Sequence, residues 1–271
     1  MPQTINALDF DRETVDVTHD DLSKLRKFNL IMGGFHLISG VLMIVLGNDF
    51  ELKVSSFNLN GPPGTPLDDG TVESLFGVPL AWATASFLLL SAFFHFLIAS
   101  PVGFGRYASE LRRGRNRFRW VEYALSSTLM MVLISLVTGI TDLAALIAIA
   151  IANVSMILFG WIMEMVNAPD RSTWWTPFWF GCIAGIGPWL AIALYIAANV
   201  TREGAQGPPG FVYGIIFSLF FFFNTFAINQ WLQYRKVGKW ADYLRGERVY
   251  IYLSLIAKSI LAWQIFANTL I

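Results

Sequence analysis

Seven long apolar stretches dominate the pattern of hydrophobic and polar positions along the chain, and polar or charged segments separate them. Each stretch holds about 20 residues, the length at which an α-helix crosses the hydrocarbon core of a bilayer. The pattern predicts an all-α membrane protein built as a bundle of seven transmembrane helices. The predicted helices cover residues 28–48, 78–99, 117–138, 142–166, 175–198, 211–233 and 249–270. We also expect a polar tail over residues 1–27, followed by the membrane domain over residues 28–271.

The first predicted connection between spans is the longest, and its sequence is "GNDFELKVSSFNLNGPPGTPLDDGTVES". Within it, "ELKVSSFNL" alternates between apolar and polar positions, as a β-strand does, and turn-forming Gly and Pro residues follow. The pattern predicts a short β-hairpin outside the membrane.

Composition agrees with a membrane protein and excludes several other classes. The chain is 55% hydrophobic and 14% charged, too apolar for an ordinary soluble domain. Its net charge is zero, so no general attraction to nucleic acid is expected. The single cysteine, Cys182, excludes a disulfide within the chain and a cysteine-based metal site. The N-terminal stretch lacks the apolar core of a signal peptide, so we expect it to be retained.

Basic residues fall almost entirely on one side of the predicted membrane. That side holds the tail, which includes Arg12, and the second, fourth and sixth connections, the fourth through Arg171. The opposite side holds only Lys53 and Arg202, among acidic residues such as Glu203. Because Lys and Arg are enriched in cytoplasmic loops, we expect a multi-pass protein of the cell membrane with its N-terminus inside and its C-terminus outside.

Few ionisable residues lie within the predicted spans, and two of them are expected to pair. Lys258 lies about ten residues into the last span, a depth of about 15 Å. Glu122 enters the third span from the same side. A buried cation and a buried anion at similar depths are best explained as partners, because each alone would be costly to bury.

This pair allows two interpretations. It is either a structural ion pair, as in a channel or transporter, or the attachment site of an aldehyde cofactor. In the second case the Lys258 amine forms a Schiff base, and Glu122 is the counter-ion of the protonated imine. Burial favours this chemistry, because desolvation favours the neutral amine that attacks a carbonyl.

The third predicted helix, "RWVEYALSS", resembles the Arg-x-x-carboxylate-aromatic-x-x-hydroxyl pattern of the microbial rhodopsins, through Arg119, Glu122, Tyr123 and Ser126. Three features depart from ordinary members of that family. Ser254 replaces the second counter-ion carboxylate, Leu133 replaces the proton donor, and the predicted topology is inverted. With these departures, "GGFHLISG", "SAFFHFLIA", "FGWIMEM", "FFFNTFAINQWLQY" and "SLIAKSILAWQ" resemble the heliorhodopsins, the inverted branch.

The resemblance implies a rhodopsin-like bundle that holds all-trans-retinal on Lys258 with Glu122 as counter-ion. It also implies a homodimer to which the hairpin contributes. Ser126 and Ser254, each one turn from a member of the pair, would belong to the Schiff-base environment along with Tyr123. The residues that the resemblance places along the polyene or ring are Met156, Gly160 and Phe223, with Pro188, Trp189, Asn224 and Gln264 as further candidates.

His36 and His95 fall in the cytoplasmic half of two neighbouring helices. They are either ordinary packing residues or the holders of a water cluster that receives the imine proton. Glu164 either extends its carboxylate to the membrane surface or borders that cluster, and Arg119 is a further candidate member.

The distribution of titratable groups favours a sensor over a pump. A pump needs such groups on both sides of the imine, and here only Asp142, at a helix edge, lies in the extracellular half. We therefore expect a photoreceptor without net ion pumping and without enzymatic activity. Light-driven or light-gated proton or ion transport is the alternative, and a retinal-free transporter is the third. No soluble output domain is present in the sequence, so a signalling partner would bind at the cytoplasmic loops or within the membrane.

Overall fold

The computed structural model describes residues 14–168, 172–202, 204 and 207–270. Residues 1–13 of the predicted tail, including Arg12, lie outside the described residues. So do Arg171 and Glu203, whose charges contribute to the predicted orientation.

Within the described residues, seven helices are long and apolar enough to cross a membrane, and the protein is therefore a multi-pass membrane protein. The spans are α1 His19–Leu46, α2 Leu80–Ala99, α4 Arg117–Val137, α5 Leu143–Val166, α6 Thr176–Thr201, α7 Gly210–Tyr234 and α8 Tyr243–Ile265, with a shorter helix, α3, over Phe104–Arg112. A π-helical turn over Phe266–Leu270 extends α8. We call the end of the bundle at which α1, α4, α6 and α8 begin the basic end, and the other the sheet end.

Two helices begin earlier than the apolar pattern predicts. α1 begins at His19 instead of residue 28, where the Thr18 hydroxyl accepts a hydrogen bond from the Asp21 amide at 3.1 Å. α8 begins at Tyr243 instead of residue 249, where the Asp242 carboxylate accepts from the Leu244 amide at 2.9 Å. These side chains satisfy amides that a helix start leaves without partners. The polar first turns therefore remain helical outside the apolar window.

The short helix α3 closes the basic end of the bundle, and the apolar pattern does not predict it. Tyr107 and Leu111 of α3 are fully buried and belong to one apolar cluster with Leu25 of α1 and Leu244 of α8. This cluster explains why the early turns of α1 and α8 are ordered, since their apolar side chains have a partner surface outside the lipid region.

A two-stranded antiparallel sheet lies at the sheet end, in the connection where the sequence predicts a hairpin. It consists of β1 Glu51–Leu59 and β2 Gly70–Pro79, with an irregularity between Val54 and Ser55. Ser55 attaches the sheet to the α4–α5 connection, because its amide donates to the Thr141 carbonyl at 2.9 Å. Val54 is 2% exposed and joins the core.

The two halves of the bundle have different interiors. The half toward the sheet end is filled by an apolar core that includes Met43, Phe87, Leu88, Met131, Ile134, Leu219 and Leu261. Among the described residues, the buried charged side chains lie between Lys258 and the basic end, whereas the other half buries a few neutral polar residues, such as Thr84 and Ser135. The charged interior is therefore confined to the half toward the basic end.

Helices α4 and α5 approach closely at Gly160. A Cβ atom at this position would overlap the ring of Trp120, whereas a Cβ atom at Gly187 of α6 would meet no atom within 4 Å. The missing side chain at Gly160 thus makes room for the indole of Trp120.

We predict that Gly160→Ala destabilises the protein by about 1–3 kcal/mol, the usual effect of overpacking a filled interior. Gly187→Ala is the matched control and should not lower the midpoint of thermal unfolding, because alanine there meets no atom and is the better helix former. Thermal unfolding in detergent, followed by circular dichroism, measures both. Equal midpoints for the two variants would contradict the close packing of Gly160 against Trp120.

Candidate functional site

Lys258 and Glu122 form an ion pair inside the bundle, as their predicted depths require. The Lys258 Nζ lies 2.6 Å from the Glu122 Oε1, and the two residues are 3% and 6% exposed. The ammonium also donates to the Ser254 hydroxyl at 2.9 Å. Ser254 precedes Lys258 by one helical turn and shares its face of α8. Each buried charge therefore has a compensating partner.

Two serines flank the carboxylate of Glu122. The Ser91 hydroxyl, on α2, donates to Oε1 at 2.6 Å. Ser126, one turn after Glu122 on α4, is fully buried, and its hydroxyl has no hydrogen-bond partner among the described residues. Sequence reasoning predicted Ser126 and missed Ser91. The spacing of Ser91 from His95, four residues on one helix face, is the signal that was available.

An apolar cavity begins at the ammonium of Lys258 and runs between α4, α5, α6 and α7. Predicted residues that line it are Tyr123, Ser126, Met156, Gly160, Phe223 and Ser254. Sequence reasoning missed other wall residues, among them Trp120, Phe178, Gly181, Cys182, Phe226 and Tyr250. Cys182 is exposed while it lines the cavity, so the cavity reaches the outer surface of the bundle beside α6.

Aromatic side chains form the walls next to the ammonium. The Lys258 Nζ lies 5.3 Å from the centroid of the Tyr123 ring, within the range of a cation–π contact. The Tyr123 hydroxyl donates to the Tyr250 carbonyl at 3.0 Å, which fixes the ring between α4 and α8. Phe226 of α7 packs edge-on against Tyr123, with centroids 5.3 Å apart.

Four predicted pocket residues are not among the residues that line this cavity. Trp189 lies behind the wall, packed on Phe223 at 5.6 Å between ring centroids. Gln264 accepts from the Ser218 hydroxyl at 3.1 Å, and Pro188 is buried within α6. Asn224 is exposed and donates to a carbonyl of its own helix. One residue rotates a helix by about 100°, so Asn224 turns outward where Phe223 turns inward.

A smaller polar cavity of about 40 Å³ lies on the other side of Glu122, toward the basic end. That volume is sufficient for ordered water, which buried polar groups commonly bind. Its polar lining residues are Asn29, Ser91, His95, Asn116, Arg119, Glu122, Glu247 and Ser254. Glu122 therefore lines this second cavity, while its partner Lys258 lines the apolar one.

His95 and His36 extend this polar region toward α1. The His95 Nδ1 lies 2.7 Å from the Asn29 Oδ1, and the two imidazole rings stack with centroids 5.5 Å apart. His36 is fully buried, and neither of its ring nitrogens has a hydrogen-bond partner among the described residues. The structure thus brings both predicted histidines to the side of Glu122 that faces away from the apolar cavity.

Arg119 pairs with two carboxylates, Glu164 of α5 and Glu247 of α8. Glu164 does not reach the membrane surface, because Arg119 holds it inside the bundle at 4% exposure. Arg119 is itself 6% exposed and lines the polar cavity, so Glu164 connects to that cavity through Arg119.

Neutral donors complete this cluster. Asn116 donates its amide to Glu164 at 2.8 Å and its side chain to Glu247 at 2.7 Å. The Tyr107 hydroxyl of α3 donates to Glu247 at 3.3 Å. Burial raises the pKa of the Tyr107 phenol well above its ordinary value, so the phenol stays protonated as a donor. The other donors, both to Glu164, are Trp120 and Tyr243.

Sequence reasoning missed Glu247 because the last span was predicted to begin after it. Glu247 precedes Lys258 by eleven residues, close to three helical turns, and therefore lies on the same face of α8 as Ser254 and Lys258. That spacing was the available signal.

The fold matches that of solved microbial rhodopsins. A light-driven proton pump from Leptosphaeria maculans aligns with a TM-score of 0.63 and 16% identity, over 94% of this chain and 97% of that chain. For Exiguobacterium sibiricum rhodopsin the values are 0.61 and 14%, over 90% and 95%. For the transmembrane domain of Salpingoeca rosetta rhodopsin phosphodiesterase they are 0.59 and 10%, over 89% and 83%. At these identities the likeness shows the fold alone.

A comparison with curated protein sequences found no significant match. The family model described as heliorhodopsin matches residues 25–270, which include all seven spans apart from the first turns of α1. Such a family implies a retinal chromophore, and the apolar cavity, with the amine of Lys258 at its end, suits such a ligand. Because the family model matches nearly the whole chain, this chain belongs to the heliorhodopsin family.

Proposed function

We propose that this protein is a light sensor that binds all-trans-retinal through Lys258 as a protonated Schiff base, with Glu122 as counter-ion and without net ion pumping. The observation that carries the proposal is the buried pair of Lys258 and Glu122 at the end of an apolar cavity. Bound retinal supplies the absorption of visible light and a polyene that isomerises.

The residues around Lys258 suit a positively charged nitrogen. Glu122 supplies the negative charge at 2.6 Å, and Ser91 holds the carboxylate from α2. Tyr123 adds the negative face of its ring. Because Ser254 stands where a second carboxylate would lie, Glu122 is the sole anion in contact with the nitrogen among the described residues.

The route available to a proton supports sensing over pumping. From the nitrogen of Lys258, Glu122 leads to the polar cavity, to His95 and to the neighbouring His36. On the sheet-end side, the interior around Leu261 and Met131 is apolar. A proton that leaves the nitrogen therefore enters the cavity toward the basic end and returns from the same side.

We further propose that the basic end faces the cytoplasm, so that the N-terminus is inside and the C-terminus and the sheet are outside. The partition of Lys and Arg supports this orientation. In this arrangement the protein forms a homodimer to which the sheet contributes. A signalling partner, in the cytoplasm or the membrane, binds at the basic end and responds to changes in its conformation.

Replacing Lys258 by Ala or Arg should abolish the visible absorption band, because neither side chain offers an amine that condenses with an aldehyde. Absorption spectra after addition of all-trans-retinal provide the measurement, and Lys239→Ala, which removes an exposed lysine, is the control. A pigment that forms on Lys258→Ala without an added amine would refute the attachment site.

Replacing Glu122 by Gln should make the protonated imine a stronger acid, because the anion that compensates its positive charge is lost. The midpoint pH at which visible absorption disappears should fall by about 1–3. At a pH where the imine stays protonated, the band should move to the red. Glu164→Gln is the matched control, since Glu164 is also buried but pairs with Arg119. An unchanged midpoint in Glu122→Gln would assign the counter-ion to another group.

Vesicles that contain the retinal-bound protein should show no sustained change of external pH in light. Flash photolysis of the same sample should nevertheless detect a photocycle, and His95→Ala should alter its kinetics without abolishing the pigment. Light-driven acidification or alkalinisation that a protonophore collapses would replace the sensor proposal with a transport function.

A further inference from the structure

Arg235, immediately after α7 at the basic end, lies against two tryptophan rings. Its guanidinium carbon is 5.0 Å from the ring centroid of Trp175, which precedes α6, and 5.9 Å from that of Trp231 in the last turn of α7. Both distances are within the range of cation–π contacts. The rings position the guanidinium, while Arg235 itself is exposed. Its N–H groups therefore remain available to a ligand outside the bundle.

The exposed tryptophans nearby mark the boundary between membrane and water. Trp174, Trp179 and Trp231 are 52%, 58% and 38% exposed, and all lie near the start of α6 or the end of α7. Tryptophan is enriched at the level of lipid headgroups. Farther into the same two helices, most of the exposed side chains are apolar, as with Ile183 and Phe221, although Asn224 is also exposed. Arg235 therefore lies at headgroup depth above a surface for acyl chains.

The connection that follows α7 adds positive charge to this position. Lys236 and Lys239 are exposed, and the backbone at Lys236 adopts a positive φ of 53°, which ends the helix. Among the described residues, no carboxylate forms an ion pair with Arg235, Lys236 or Lys239. The nearest acid in the sequence, Asp242, accepts a hydrogen bond from the backbone at the start of α8. We call Arg235, Lys236 and Lys239, with Trp175 and Trp231, the Arg235 patch.

We propose that the Arg235 patch binds the phosphate of an anionic phospholipid in the leaflet at the basic end. The planar guanidinium offers paired N–H donors to two phosphate oxygens, and basic residues beside a span attract anionic headgroups. A lipid is the occupant, and not a free anion, because the tryptophan rings hold the guanidinium at headgroup depth and the faces of α6 and α7 below it are apolar. The proposal is independent of the chromophore and of light.

The test uses the full-length protein in micelles with equal amounts of phosphatidylglycerol and phosphatidylcholine. Native mass spectrometry counts the lipids that remain bound. The wild-type protein should retain phosphatidylglycerol in preference. Arg235→Gln should weaken that binding by roughly tenfold or more, the usual effect of losing a hydrogen bond to a charged group. Arg235→Lys should fall between the two, since lysine keeps the charge but lacks the planar fork.

Arg106→Gln is the matched control, because Arg106 is an exposed arginine of α3 at the same end of the bundle. It should leave the retained phosphatidylglycerol unchanged. Equal losses in Arg106→Gln and Arg235→Gln would reduce the effect to general surface charge and overturn the proposal. Retention of both lipids alike would overturn it too. Displacement of the lipid by millimolar inorganic phosphate would assign the patch to a free anion instead.

Discussion

The buried ion pair between Lys258 and Glu122 is the interaction on which the organisation of this protein depends. Neither charge is tolerable alone at this depth, so the pair fixes the rotation of α4 and α8 relative to each other. Ser91 and Ser254 then occupy the positions next to the charges, on α2 and α8. The arrangement ties three helices to a single point and leaves the lysine facing an apolar space.

From that point, the buried charged groups of the described residues continue in one direction only. Ser254 and Glu247 continue the inward face of α8 toward the basic end, and Arg119 connects this face to α4 and α5. In the other direction, Leu261 and Ile265 belong to the apolar core. The one-sidedness is a property of the sequence of α8, where polar residues precede the lysine on its inward face and apolar residues follow it.

How much the sequence predicts depends on how local the signal is. The seven spans follow from the length of the apolar stretches alone. The pairing of Lys258 with Glu122 follows from their opposite charges and from the similar depths at which they lie in their helices. The sequence pattern did not predict the true start of α8, and therefore did not place Glu247 in that helix. Capping and packing against α3 extend α8 beyond its apolar stretch. The wall of the cavity was predicted in part. Met156, Gly160 and Phe223 line it, whereas Asn224 is exposed. Which residues of α7 face inward depends on the rotation of that helix about its axis, and packing against other helices sets this rotation.

The cluster around Arg119 has an uneven charge count. One guanidinium faces two carboxylates, those of Glu164 and Glu247, and the further donors to them that the described residues show, such as Asn116 and Tyr107, are neutral. Donated hydrogen bonds spread an anion's charge but do not cancel it. Among the described residues the cluster therefore keeps an excess of one negative formal charge, which the buried neutral donors stabilise but do not remove. Evenly paired charge at Lys258 and unevenly paired charge at Arg119 thus lie within one bundle.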